Sequence, residues 1–209
     1  MDEAYWSAVR DVRLAFAALL ESLPAAEWDA PSLCRGWRVR DVAGHVAVVP
    51  AITTRRMLAV APRAGFDPNR INTLIATREG SRPPDEIVAL LRRRAGERRT
   101  ARVLDERDAL FDVVVHSQDI CRPLGRELPV PVAATRRGLE RVWEMGWPFR
   151  ARKRLGALTL RATDTDWRVG TGPEVAGPAL ALLLLLTGRT EAAVGELRGG
   201  GVAALGATR

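Results

Sequence analysis

The sequence predicts a mostly helical α+β chain, with a helical bundle over residues 1–150 and a small α/β unit over residues 151–209. Two apolar stripes at helical spacing point to the bundle, and a change to alternating residues near Leu158 points to the second unit. The length suits one large domain, or a main domain with a small companion. Hydrophobic residues make up 47 % of the chain and charged residues 27 %, which gives a core and excludes a disordered chain.

Over Asp2–Leu23, the residues Trp6, Val9, Arg13, Phe16, Leu20 and Leu23 recur at three and four, and Pro24 follows the helix end. Pro31, Ser32, Cys34 and Gly36 make Trp28–Trp37 a loop, with its two tryptophans as anchors. A second helix runs from Val39 to Arg55-Arg56 on the stripe Val39, Val42, Val46 and Val49, with Pro50 as a kink or a stop. Residues 62–82, rich in Pro, Gly, Asn and Arg, read as a long excursion. Pro83-Pro84-Asp85-Glu86 starts a third helix toward Arg99. A fourth spans Arg107–Cys121 and ends at Arg122-Pro123-Leu124-Gly125, and a fifth spans Pro131–Trp147.

Leu158–Thr163 then alternates as a strand, and Asp164-Thr165-Asp166 turns the chain into a second strand at Trp167–Val169, forming a hairpin. Gly170, Gly172, Pro173, Gly177 and Pro178 mark loops before a short apolar helix at Ala179–Thr187. A last helix begins near Glu191, and Gly199-Gly200-Gly201 reads as a flexible turn. No internal repeat is present.

The net charge of +7 comes almost wholly from arginine, since Lys153 is the only lysine. That bias fits a GC-rich genome better than a selected basic surface. The densest run, Arg92-Arg93-Arg94 to Arg102, could form an anion patch, but a solvated helix face accounts for it. Nucleic acid is therefore not an expected partner. The amino terminus lacks a basic stretch followed by an apolar one, and Ala179–Leu186 is far shorter than the ~20 residues of a membrane helix. The expectation is a cytoplasmic protein without membrane attachment, either monomer or homodimer.

The chain has two histidines, His45 and His116, each in an expected helix and each preceded by an aspartate at four residues, Asp41 and Asp112. Positions i and i+4 share a helix face, so Asp112 and His116 can point the same way, and His45 can meet them from a neighbouring helix. Two imidazoles and one carboxylate suit a zinc-type site with an open fourth position. Phe111, Val113, Val114 and Val115 surround Asp112 with apolar residues, where a carboxylate needs a partner. The same spacing also suits a hydrogen-bonded core histidine or an exposed ion pair. Asp41 and Asp119 are candidates for a second layer that holds an imidazole nitrogen, and Asp41 also reads as a first-turn acid favoured by the helix dipole. Cys34 and Cys121 could each serve as a thiolate ligand or nucleophile, but inert packing is the favoured reading, because neither has a histidine base at a recognisable spacing. No phosphate-binding glycine loop or nucleophile elbow is present, and the catalytic residues stay unassigned.

The segment W-D-A-P-S-L-C-R-G-W-R-V-R-D-V-A-G-H-V, Trp28 to Val46, resembles the start of the DinB-like, mycothiol-dependent maleylpyruvate isomerase family of actinobacteria. The segment D-V-V-V-H-S-Q-D-I-C-R-P-L-G, from Asp112, resembles that family's second metal motif, and Thr159 to Arg189 is similar to the tail of its shorter members. The resemblance implies an N-terminal DinB-like four-helix bundle and a divalent metal, usually zinc, on His45, Asp112 and His116. It departs from the isomerase in having Asp112 where the isomerase has glutamate, one methylene longer, and in a shorter carboxy-terminal unit.

It further implies that mycothiol or another small thiol binds the metal as thiolate and adds to a small electrophile. Addition and elimination would isomerise a double bond, and addition alone would make an S-transferase. A non-catalytic metal-binding or sensor protein of the same fold is the alternative.

Overall fold

The computed structural model describes residues 1–98, 101 and 104–206, so Arg99 and Arg102 of the basic run lie outside the described residues. The chain divides into two compact units, Met1–Pro129 and Val130–Arg209.

In the first unit, α1 (Glu3–Glu21) starts where the Asp2 carboxylate accepts from the Tyr5 N–H at 2.7 Å. It buries Trp6, Val9, Arg13, Phe16 and Leu20 of the stripe expected from the sequence, together with Tyr5 and Val12. Helix α2 (Val39–Val48) is buried along almost its whole length. It stops where Val49–Ala51 tightens into a 3-10 turn at Pro50, and α3 (Thr54–Val60) begins afresh behind a Thr53 cap. The proline therefore ends the helix.

Residues 62–82 hold a helix, α4 (Pro68–Gly80), which corrects the reading of that stretch as an irregular excursion. Asp67 caps it by accepting from the Asn69 and Arg70 N–H groups, and Pro68 sits in its first turn. Helices α5 (Pro84–Arg94) and α6 (Ala109–Cys121) complete the unit. Both α1 and α2 pack against α5 and α6, which makes a four-helix bundle, and α4 packs on α2.

The α2–α4 crossing is close: a Cβ built on Gly44 would stand 2.5 Å from the Gly80 amide nitrogen. Glu79, almost fully buried beside that crossing, is held by Arg56 and by Arg82 at 2.8 Å.

The second unit contains α7 (Val132–Glu144), which packs on α9 (Ala179–Leu186). The unit boundary thus falls at residue 130, ahead of the helix assigned to the bundle in a division at residue 150. The expected hairpin is present: β1 (Thr159–Ala162) pairs antiparallel with β2 (Arg168–Val169), Leu160 opposite Val169. A third strand that the sequence did not reveal, β3 (Glu174–Gly177), pairs parallel with β1, giving the order β2-β1-β3.

Apolar on every side, α9 packs against β1 and β3. The short helices α8 (Ala151–Leu155), α10 (Thr190–Ala193) and α11 (Val202–Leu205) fill in the rest. Gly199–Gly201 is built tightly against β3. A Cβ on Gly199, at φ 114°, would meet the Glu174 carbonyl oxygen at 2.3 Å, and the Gly201 N–H donates to that same oxygen.

Among the described residues, no helix is long and apolar enough to cross a membrane. The basic run is partly neutralised: Arg92 pairs with Glu21 and Arg98 with Glu3, and Arg94 donates to the Ala47 carbonyl.

Gly44→Ala should lower stability by about 1–3 kcal/mol, the usual result of forcing a methyl into a filled contact. Gly96→Ala, exposed and with nothing within 4 Å of the new Cβ, should change it by less than about 0.5 kcal/mol. Urea denaturation of the two variants beside the parent measures both.

Candidate metal centre

Three side chains from two packed helices meet in the first unit. His45, on the last turn of α2, is 5 % exposed. Asp112 and His116 come from one face of α6, a turn apart. Asp112 Oδ1 lies 3.5 Å from His45 Nε2 and 3.5 Å from His116 Nε2. The imidazoles stand edge to face with centroids 4.7 Å apart, and all three donor atoms lie within 4.8 Å of one another.

Donors bound tetrahedrally to one zinc ion at ordinary bond lengths stand about 3.4 Å apart. The donor spacing and the donor types therefore fit a divalent cation. Asp112 would offer the single oxygen that already faces both rings.

Burial opposes ionisation of Asp112, but the His116 and His45 imidazoles and Arg13 outweigh it and hold its carboxyl below the usual range. Burial also opposes a charged His116. Asp112, Asp119 and Cys34 prevail over it, and without a bound cation they raise that imidazole well above its ordinary value. Arg13, buried on α1, donates from Nη1 to the Ala95 and Glu97 carbonyls and adds positive potential at Asp112.

The two aspartates named as a second layer have different surroundings. Asp119 is fully buried, and its Oδ2 lies 2.9 Å from His116 Nδ1. With the proton on Nδ1, this pair turns the Nε2 lone pair toward the centre. Asp41 is not placed on a ring. Its carboxylate accepts from the Arg38 N–H at 3.0 Å and from the Arg38 guanidinium, so it caps α2. His45 Nδ1 is buried without a hydrogen-bond partner among the described residues. That ring is held instead by packing against Trp37, at 5.4 Å between centroids.

The loop before α2 supplies what the sequence did not show. Trp37 lies nearly parallel to His116, at 6.3 Å and 18°, and its Nε1 donates to Thr73 Oγ1 on α4. Cys34 is not inert packing: its Sγ is 2.9 Å from Asp119 Oδ2 and 3.6 Å from His116 Nδ1. The chain turns back on itself here through Gly36 at φ 80°, a left-handed conformation natural to glycine. The Trp37 N–H closes the turn on the Cys34 carbonyl at 2.9 Å. Cys121 does match the inert reading, being buried, with burial pushing its thiol up to about 11. Cys34 stands 82 residues before His116, and no local spacing reports that approach.

The fold and this cluster define a class of protein, a helical bundle with two imidazoles and one carboxylate gathered between its helices. Residues 9–109 match the family model described as the mycothiol maleylpyruvate isomerase N-terminal domain. The match includes His45 and ends before Asp112 and His116. Two solved structures share the fold, the mycothiol-dependent maleylpyruvate isomerase and a histidine-to-alanine mutant of it. Each has a TM-score of 0.65 and 15 % identity, over 95 % of this chain and 92 % of the other. No curated protein sequence matches the chain.

Cation binding displaces the His116 proton, so affinity should increase with pH. Because His116 is raised, the increase should continue above about pH 6.5, where ordinary histidines level off. Zinc titration calorimetry across neutral pH, in buffers of different ionisation enthalpy, measures both the affinity and the proton released.

Proposed function

We propose that this chain is a divalent-metal-dependent enzyme, with zinc the best-fitting ion. In this reading it uses a low-molecular-weight thiol such as mycothiol to isomerise a small electrophile or to form an S-adduct with it. The carrying observation is the convergence of Asp112 Oδ1 on His45 Nε2 and His116 Nε2 at 3.5 Å each. The N-terminal domain match and the shared fold support the choice of thiol.

When bound, the cation supplies a positive charge that lowers the pKa of a coordinated thiol, so the sulfur is nucleophilic near neutral pH. His45, Asp112 and His116 would hold it, leaving a position for the thiol. Asp119 keeps the His116 proton on Nδ1 and away from Nε2. Trp37 stacks along His116 and packs at a tilt against His45, which restrains both rings. Asp112 reaches less far than a glutamate would, so the ion would sit closer to α6 than in a glutamate-bearing relative.

Protein prepared with zinc should hold close to one equivalent by elemental analysis. His45→Ala and His116→Ala should each weaken binding by more than the ~10–100-fold typical of losing an outer partner of a ligand. In the presence of mycothiol, maleylpyruvate or another small electrophile should then be converted by the parent and not by either variant, with the thiol regenerated on isomerisation and consumed only on S-adduct formation. A metal-free parent that takes up no added zinc would refute the proposal.

A further inference from the structure

One residue, Asp119, ties the loop before α2 to the candidate centre. Its carbonyl accepts from the Leu33 N–H at 3.0 Å. Its Oδ2 accepts from the Cys34 thiol at 2.9 Å and pairs with His116 Nδ1 at 2.9 Å. Asp119 has no exposed surface, so neither donor is readily replaced by bulk water. A carboxylate oxygen shared by two fixed donors has little freedom to rotate, and the imidazole bonded to it inherits that restriction.

We propose that Cys34 is a positioning residue of the metal centre: its thiol, through Asp119 Oδ2, fixes the Nδ1–H of His116 and keeps Nε2 turned toward Asp112. This inference rests on the metal-dependent reading above. A thiol is a weak donor, so it orients the oxygen without drawing much of its charge away from the imidazole. A direct ligand role for Cys34 is the competing account, because Sγ, His116 Nδ1 and Asp119 Oδ2 also lie within 4.8 Å of one another. The distances decide against it. Both contacts to Oδ2 are 2.9 Å, a hydrogen-bond length, and shorter than the about 3.4 Å between donors on one tetrahedral ion. An Nδ1 that donates to Asp119 also cannot offer its lone pair to a cation.

The test compares the parent, Cys34→Ala and Cys34→Ser as full chains. One measurement is zinc affinity by chelator competition, with the visible spectrum of the cobalt-loaded protein. The other is the His116 Nδ1 proton resonance in metal-free, 15N-histidine-labelled protein, assigned with His45→Ala. Cys34→Ala should lose on the order of tenfold in zinc affinity. It should also shift the Nδ1 proton and keep the parent's circular dichroism, while Cys34→Ser should recover both signals. Methylthiolation of Cys34 on the folded parent removes the same donor, and dithiothreitol restores it, so the comparison survives a Cys34→Ala chain that does not fold. Buried Cys121, its thiol pushed up to about 11, should not react.

Parent-like affinity together with an unmoved Nδ1 proton in Cys34→Ala, or a sulfur-to-cobalt charge-transfer band in the parent, would overturn the inference. If the parent binds no zinc, the metal-dependent reading fails, and the metal-free resonance still decides whether Cys34 positions His116.

Discussion

Asp112 Oδ1 sits between two imidazole nitrogens inside a helical bundle, and a carboxylate in that setting is tolerated only when it is paired. Much of the first unit serves that pairing. Helix α2 brings His45 to the carboxylate, α6 brings His116, and Arg13 from α1 adds a positive charge. The two imidazoles and Arg13 favour the ionised form of Asp112, and Asp112, Asp119 and Cys34 favour the charged form of His116. Loss of Asp112 would leave the two imidazole Nε2 atoms without the carboxylate oxygen they share, which is why the cluster is better viewed as one unit than as three residues.

The loop before α2 extends this unit outward. Gly36 lets the chain reverse, Ser32 and Trp37 close the turn through the Ser32 hydroxyl and the Trp37 carbonyl at 2.9 Å, and Leu33 and Cys34 both engage Asp119. The indole of Trp37 then rests along the His116 imidazole while its nitrogen reaches α4. The loop, expected from the sequence as a segment anchored by its two tryptophans, thus also borders the centre.

Periodic, local features were legible in the sequence, and features set by distant parts of the chain were not. Trp6, Val9, Phe16 and Leu20 announced α1, and the four-residue step from Asp112 to His116 announced a shared helix face. Helix α4 was missed because only Ile75, Ala76, Glu79 and Gly80 are buried, so it shows little apolar stripe, although Asp67-Pro68 was a readable start signal. Strand β3 is four residues between glycines and prolines, too short for alternation to appear. The amphipathic pattern of α7 shows that it has a buried face, but not which core covers it, and it packs on α9. Asp41 and Asp119 both read as carboxylates near a histidine, with Asp41 also readable as a first-turn acid. Arg38 claims one and His116 the other, and that difference exists only in three dimensions.

Gly44 and Gly80 allow the backbones of α2 and α4 to approach until a methyl group on either would collide. His45 is the next residue after Gly44, about 100° further around the helix. The contact therefore works as a mechanical index. A slip of α2 by one position would put a side chain into the crossing and swing the imidazole away from Asp112, so only one rotational setting of the helix satisfies both. The aim of the His45 imidazole is set in part by two missing methyl groups, on residues that lie outside the cluster.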